Sequence, residues 1–172
     1  MQDEKKTFRE KWYAELDSND LRKVWIKGFI VCILAAIVAG FIDYLLMRIQ
    51  GHFYVGILII GPFIGVTISN SYQKYHIKYT AIAILYTFIG MILLNLIRLM
   101  ILFNFSNLGY IFTHGFFIYE LFLHPIKTFT DAIKVATIPN YIFAIIEIVL
   151  HVLTFVFAYI MSRKNKNKIV EK

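Results

Sequence analysis

Four long apolar runs, at about residues 29–48, 53–71, 80–103 and 140–161, limit what this chain can fold into more than any other feature. Each is close to the roughly 20 residues that carry an α-helix across ~30 Å of hydrocarbon. Hydrophobic residues make up 59% of the 172, and charged residues only 17%. A water-soluble domain of that length has too little interior to hide so much apolar surface. The expected fold is all-α: a polytopic membrane protein built as a four-transmembrane-helix bundle with amphipathic interfacial helices. On this reading residues 1–27 are a cytoplasmic lead-in, 28–162 the transmembrane domain, and 163–172 a basic cytoplasmic tail.

Charge placement sets the expected orientation. Of the 18 Lys and Arg residues, seven precede the first span and five follow the fourth, Arg163 and Lys172 among them. Lys74 and Lys78 lie between spans two and three. Only Arg48, Lys127 and Lys134 fall on the opposite side, and Arg98 lies within a span. Because cytoplasmic loops carry the excess of Lys and Arg, both termini are expected in the cytoplasm, as an even number of spans also requires. The net charge of +7 is then explained by headgroup contact, and no basic-aromatic interleaving of the kind that stacks bases argues for nucleic acid. The first apolar run is too long for a signal-peptide core and lacks a small-residue cleavage site, so it is expected to remain as a span. Cys32, the single cysteine, excludes an internal disulfide and a cysteine zinc site. A buried thiol is expected there, with palmitoylation near the cytoplasmic face as the alternative. No cofactor is implied.

Local patterns fill in the organisation. Phe8, Trp12 and Leu16 recur every four residues, which suits either a helix on the inner leaflet or a solvated tail anchored by tryptophan. Asp17-Ser18-Asn19-Asp20 reads as a break followed by a helix N-cap. In span two, Gly56, Gly61 and Gly65 supply small-residue spacing for close helix approach, within the bundle or between two copies. Pro62 removes a backbone donor and is expected to kink that helix. The Tyr72–Tyr79 link is short, basic and aromatic, an interfacial turn. Residues 105–139 are apolar and aromatic on the outer side. Ile126, Phe129, Ile133 and Ala136 share one helical face opposite Lys127, Asp131 and Lys134, an amphipathic helix closed by Pro139. No internal repeat is visible.

Polar groups within the spans each need a partner, because an ionisable side chain in hydrocarbon costs about 2.5–3.5 kcal/mol on insertion scales. Asp43, Asn95, Arg98, Glu147 and His151 are the candidates. Residue counting places Asp43, Arg98 and Glu147 at similar depth in the outer half. The first expectation is an Arg98–Glu147 ion pair, with Asp43 as a second partner. Asn95 and Arg98 form a polar stripe on one helix, Glu147 and His151 on another. The cluster is either a structural staple or an ion-handling site. Metal binding would need His52, His114 or His124 to fold back onto it. HExxH, GxSxG, P-loop and intramembrane aspartate-pair signatures are absent, so no enzyme is expected.

From Tyr54 to about Phe103 the chain carries Tyr-x-Gly, Ile60-Gly61-Pro62-Phe63-Ile64-Gly65, a basic turn, Ala81-Ile82-Ala83 and Phe88-Ile89-Gly90. In this order of features it resembles small four-span bacterial membrane proteins, a group without an assigned activity. Some of them have an N-terminal zinc ribbon, which this chain lacks the cysteines to build. Two function classes stay open at this stage. One is a noncatalytic integral membrane protein, an accessory or interaction subunit or envelope factor whose partners are the lipid bilayer and another membrane protein or itself. The other is a small oligomeric carrier or channel with its polar site in the outer half. The Ile-, Lys-, Asn- and Phe-rich composition points to a bacterial cell membrane.

Overall fold

A computed structural model describes residues 12–50, 55–102 and 138–163, with the side chain of Glu147 among a few within the helices that it leaves aside. The start of the lead-in, the 51–54 connection with His52, most of the outer segment with His114 and His124, and the basic tail lie outside the described residues. The described residues form four α-helices and no strand: α1 Ser18–Gln50, α2 Ile57–Ser69, α3 Ile77–Leu102 and α4 Ile138–Ser162. α1 and α3 are long and apolar enough to cross a membrane.

The helix ends follow local chemistry. The Asp17 carboxylate accepts the Asn19 amide at 2.8 Å and the Asp20 amide at 3.4 Å, capping α1. Nothing between Leu21 and Lys27 breaks a helix, so α1 starts well before the apolar run and continues into it without interruption. At 33 residues it is about 50 Å long. α2 has only 13 residues, about 20 Å, and is shorter than its apolar run. It runs through Pro62 and stops at Asn70, whose amide bonds the Val66 carbonyl at 3.0 Å. Pro139 lies in the first turn of α4, where a missing amide proton costs nothing.

Successive helices run antiparallel. α2 and α3 each pack on all the others, while α1 and α4 flank them on opposite sides. α1 and α3 are parallel, with Gly28 against the Tyr86 ring and Gly40 against Ile97. α2 and α4 are parallel as well, with Gly61 against Thr154 and Gly65 against Ala158 and Met161.

The sides of α1 are sorted by size. Its buried face is Val24, Gly28, Cys32, Ala35, Ala36, Ala39, Gly40 and Asp43, at helical spacing. Its exposed face is large and apolar, including Trp25, Phe29, Ile33, Leu34, Ile37, Phe41 and Leu45. α4 repeats the arrangement, with Thr154, Ala158 and Ser162 buried and Ile145, Val149, Val152 and Ile160 exposed. Large side chains do fill the centre, chiefly Ile57, Ile60, Ile64 and Ile68 of α2. The two flanks nonetheless turn their bulk outward, the reverse of a water-soluble bundle.

Candidate functional site

Three groups of side chains set the chemistry of the bundle: a charged cluster at one end, a small-residue seam in the middle, and an aromatic plate at the opposite, basic end.

The charged cluster joins α1, α2 and α3. Asp43 is buried on α1, and its Oδ2 accepts Arg98 Nε at 2.8 Å and Nη2 at 2.5 Å. Its Oδ1 accepts the Gly56 amide at 2.7 Å. That second bond satisfies a donor at the start of α2, where Gly56 itself has no side chain to offer. Arg98 Nη1 donates to Asn95 Oδ1 at 2.9 Å, one turn back along α3. Asp43 thus holds the ends of three helices together, with 2% of its side chain exposed against 15% for Arg98.

Sequence expectation ranked Glu147 ahead of Asp43 as the partner of Arg98. The described bonds of Arg98 run to Asp43 and Asn95, while the Glu147 side chain lies outside the described residues. Its backbone position can still be placed. Ser162 Oγ and Thr80 Oγ1 are 3.2 Å apart, which makes α4 and α3 level at that point. Equal steps along two antiparallel helices then bring residue 147 level with Asn95. His151 lies one turn nearer the basic end of α4 and is half-buried. Among the described residues no three His, Cys, Asp or Glu side chains group as a metal ion would need.

Small residues let α2 approach its neighbours closely. A Cβ on Gly61 would fall on the Thr154 carbonyl oxygen of α4, and one on Gly56 on the Ala39 carbonyl of α1. Thr154 Oγ1 lies 3.0 Å from the Ile57 carbonyl and 2.9 Å from the Leu150 carbonyl, so its one proton is shared between α2 and its own helix. The amide missing at Pro62 would have donated to the Leu58 carbonyl, the residue next to the Ile57 acceptor.

At the basic end, Tyr72 stacks on Tyr79 with ring centroids 4.9 Å apart, and its hydroxyl bonds the Ser162 carbonyl. Burial pushes the Tyr72 phenol well above its ordinary range, with Tyr75 adding to the shift. Asp20, also buried, accepts the Gln73 amide at 2.8 Å, tying α1 to the loop before α3. Arg163 lies over the rings of Tyr75 and Tyr159, and the Lys78 ammonium over Trp12. Among the described residues, every buried side-chain nitrogen and oxygen has a partner.

Sequence reasoning places Asp20 only in the helix-start run and His76 only in the interfacial turn, and it does not single out Thr80, Thr154 or Ser162. A signal for the last two was present: Thr154, Ala158 and Ser162 repeat every four residues, a small-residue stripe to match Gly61 and Gly65. The class these features define is an all-α bundle with two helices able to cross a membrane by length and composition. No family model matches the chain, and no match was found among curated proteins or solved structures.

Proposed function

We propose that this chain is a noncatalytic integral protein of a bacterial cell membrane, crossing the bilayer four times with the segments before α1 and after α4 in the cytoplasm. It acts through contacts with lipid and with another membrane protein or a second copy of itself, as an accessory subunit or envelope factor. The observation that carries the membrane reading is the outward-facing bulk on both flanks. From Trp25 to Leu45 the exposed apolar residues of α1 cover about 30 Å, and from Ile142 to Ile160 those of α4 cover about 27 Å. Both heights suit the hydrocarbon layer, and in water such patches would far exceed what a soluble monomer exposes. α4 is 25 residues long, about 38 Å, and α2 reaches less far because Asp43 and the Asn70 turn fix its ends. Trp25, Tyr72, Tyr75 and Tyr159 gather with Lys23, Lys27, Lys74, Lys78 and Arg163 at one end, the composition of a cytoplasmic interface.

The noncatalytic part is supported by the state of the charged cluster. Both oxygens of Asp43 are bonded to neighbouring helices, the arrangement of a staple. Topology is tested with cytoplasmic and external reporters fused after Leu16, within 104–136 and at Lys172. The expected result is internal, external and internal; an external reporter at Lys172 would overturn the four-span reading. For the role, the folded protein in sealed vesicles is expected to pass neither protons nor small ions above an empty-vesicle control. A flux abolished by Asp43→Asn in a protein that remains folded would replace the proposal with a carrier.

A further inference from the structure

His76 is the residue just before α3, and both of its ring nitrogens are engaged. Nδ1 accepts the Lys78 backbone amide at 3.1 Å, the contact a helix N-cap makes with the second residue of its helix. Nε2 lies 3.2 Å from the Ala14 carbonyl, in the segment that leads to α1. The amide can only donate, so Nδ1 carries no proton; the carbonyl can only accept, so Nε2 carries one. The geometry therefore demands the neutral imidazole in a single tautomer. One ring both caps α3 and holds the N-terminal segment, which also touches the first turn of α3 where the Lys78 ammonium lies over Trp12.

We propose that His76 is a pH-sensitive pin that docks residues 12–16 on the loop before α3 and releases them when its ring takes a second proton. A proton on Nδ1 would face the Lys78 amide donor to donor. The ring must turn to escape, and because it is rigid, Nε2 leaves Ala14 as Nδ1 leaves Lys78. The added charge would also stand at the positive end of the α3 dipole. Tyr79 on α3 lies edge-on to the ring, Lys78 is the charge that acts on it, and Asp17 and Asp20 at the start of α1 act on the neighbouring Tyr79. The two carboxylates are the groups that would favour imidazolium. Asp17 is committed to the α1 cap amides and Asp20 to Gln73 and Lys23. Burial, reinforced by the Lys78 charge, holds the His76 pKa below its ordinary value against the opposing Ala14 bond. The sign follows. With the folded pKa lowered, the docked state is fully favoured above about pH 6.5, where unfolded histidine is neutral, and weakens as pH falls from there toward the folded value.

Hydrogen exchange on the full chain in nanodiscs, corrected for intrinsic rates, tests this. Between about pH 7.5 and about pH 5, amides 13–16 should exchange several-fold faster while the centre of α3 does not change. His76→Asn keeps a cap without a titrating ring and should show no such step. His76→Ala should exchange fast at both pH values, and Asp17→Asn should retain the step. Nitrogen-15 spectra of the ring at neutral pH should show the proton on Nε2. A flat wild-type profile, a step that survives His76→Asn or vanishes in Asp17→Asn, protection retained in His76→Ala, or a proton on Nδ1 would each overturn the proposal.

Discussion

Arg98→Ala is expected to destabilise the protein by about 3–5 kcal/mol, because it leaves the buried Asp43 carboxylate without its cation. The cost is asymmetric between the partners. Asp43→Asn keeps an acceptor for the Gly56 amide and strands a guanidinium that is already 15% exposed and can extend along its stem toward the polar boundary. That change should cost nearer about 1.5–3 kcal/mol, the range for losing a charged hydrogen bond. The double variant Asp43→Asn, Arg98→Ala removes both charges and should be more stable than Arg98→Ala alone. Unfolding of the purified protein in mixed micelles, arranged as a double-mutant cycle, should return a coupling above about 1 kcal/mol; additivity within about 0.5 kcal/mol would show that the two residues do not act as a pair. A parallel cycle with Glu147→Gln asks whether α4 also contributes to holding Arg98. A larger coupling there than at Asp43 would make Glu147 the dominant partner.

The all-α character was legible from the apolar runs, because long uninterrupted hydrophobic stretches with few Gly or Pro have no good alternative to a helix. The partner choice at Arg98 was harder to read. Depth counting put three charged residues at one level but could not say which helices are neighbours. α1 packs beside α3, and the small faces at Gly28, Cys32 and Gly40 bring Asp43 within reach of Arg98. Those small residues are visible in the sequence at the same four-residue spacing as Gly61 and Gly65, but spacing alone does not say which helix a small face meets. The basic end was less legible still. His76 looks like any loop histidine until Ala14 and Lys78 are seen on either side of its ring, and Asp20 looks like a solvated cap residue until Gln73 is found against it. Contacts between residues more than fifty positions apart leave no local trace, because they depend on the register of the helices rather than on the residues beside them.

Gly61→Ala should be among the most damaging single substitutions in the bundle, although alanine favours a helix over glycine by about 1 kcal/mol. The new methyl would press into the Thr154 carbonyl oxygen, far inside contact distance, and approach the Thr154 carbonyl carbon to 2.9 Å. Both atoms belong to backbone that cannot rotate aside, so α2 and α4 would have to separate. Separation also opens the seam at Gly65 and pulls Thr154 from the Ile57 carbonyl. On the proposed membrane placement of α2 and α4, little hydrophobic drive would restore the lost contact, since lipid solvates the surfaces nearly as well. A net loss of more than about 3 kcal/mol is expected, at or beyond the upper end of ordinary overpacking. Gly90→Ala supplies the contrast. Its methyl would meet the Ile60 Cγ2 methyl at 2.8 Å, on a buried β-branched side chain that χ1 holds in place, so strain remains; but its three nearest contacts are all side-chain atoms, and the loss should be clearly smaller than at Gly61. Similar losses at the two positions would mean that α2 and α4 are not in backbone contact at Gly61.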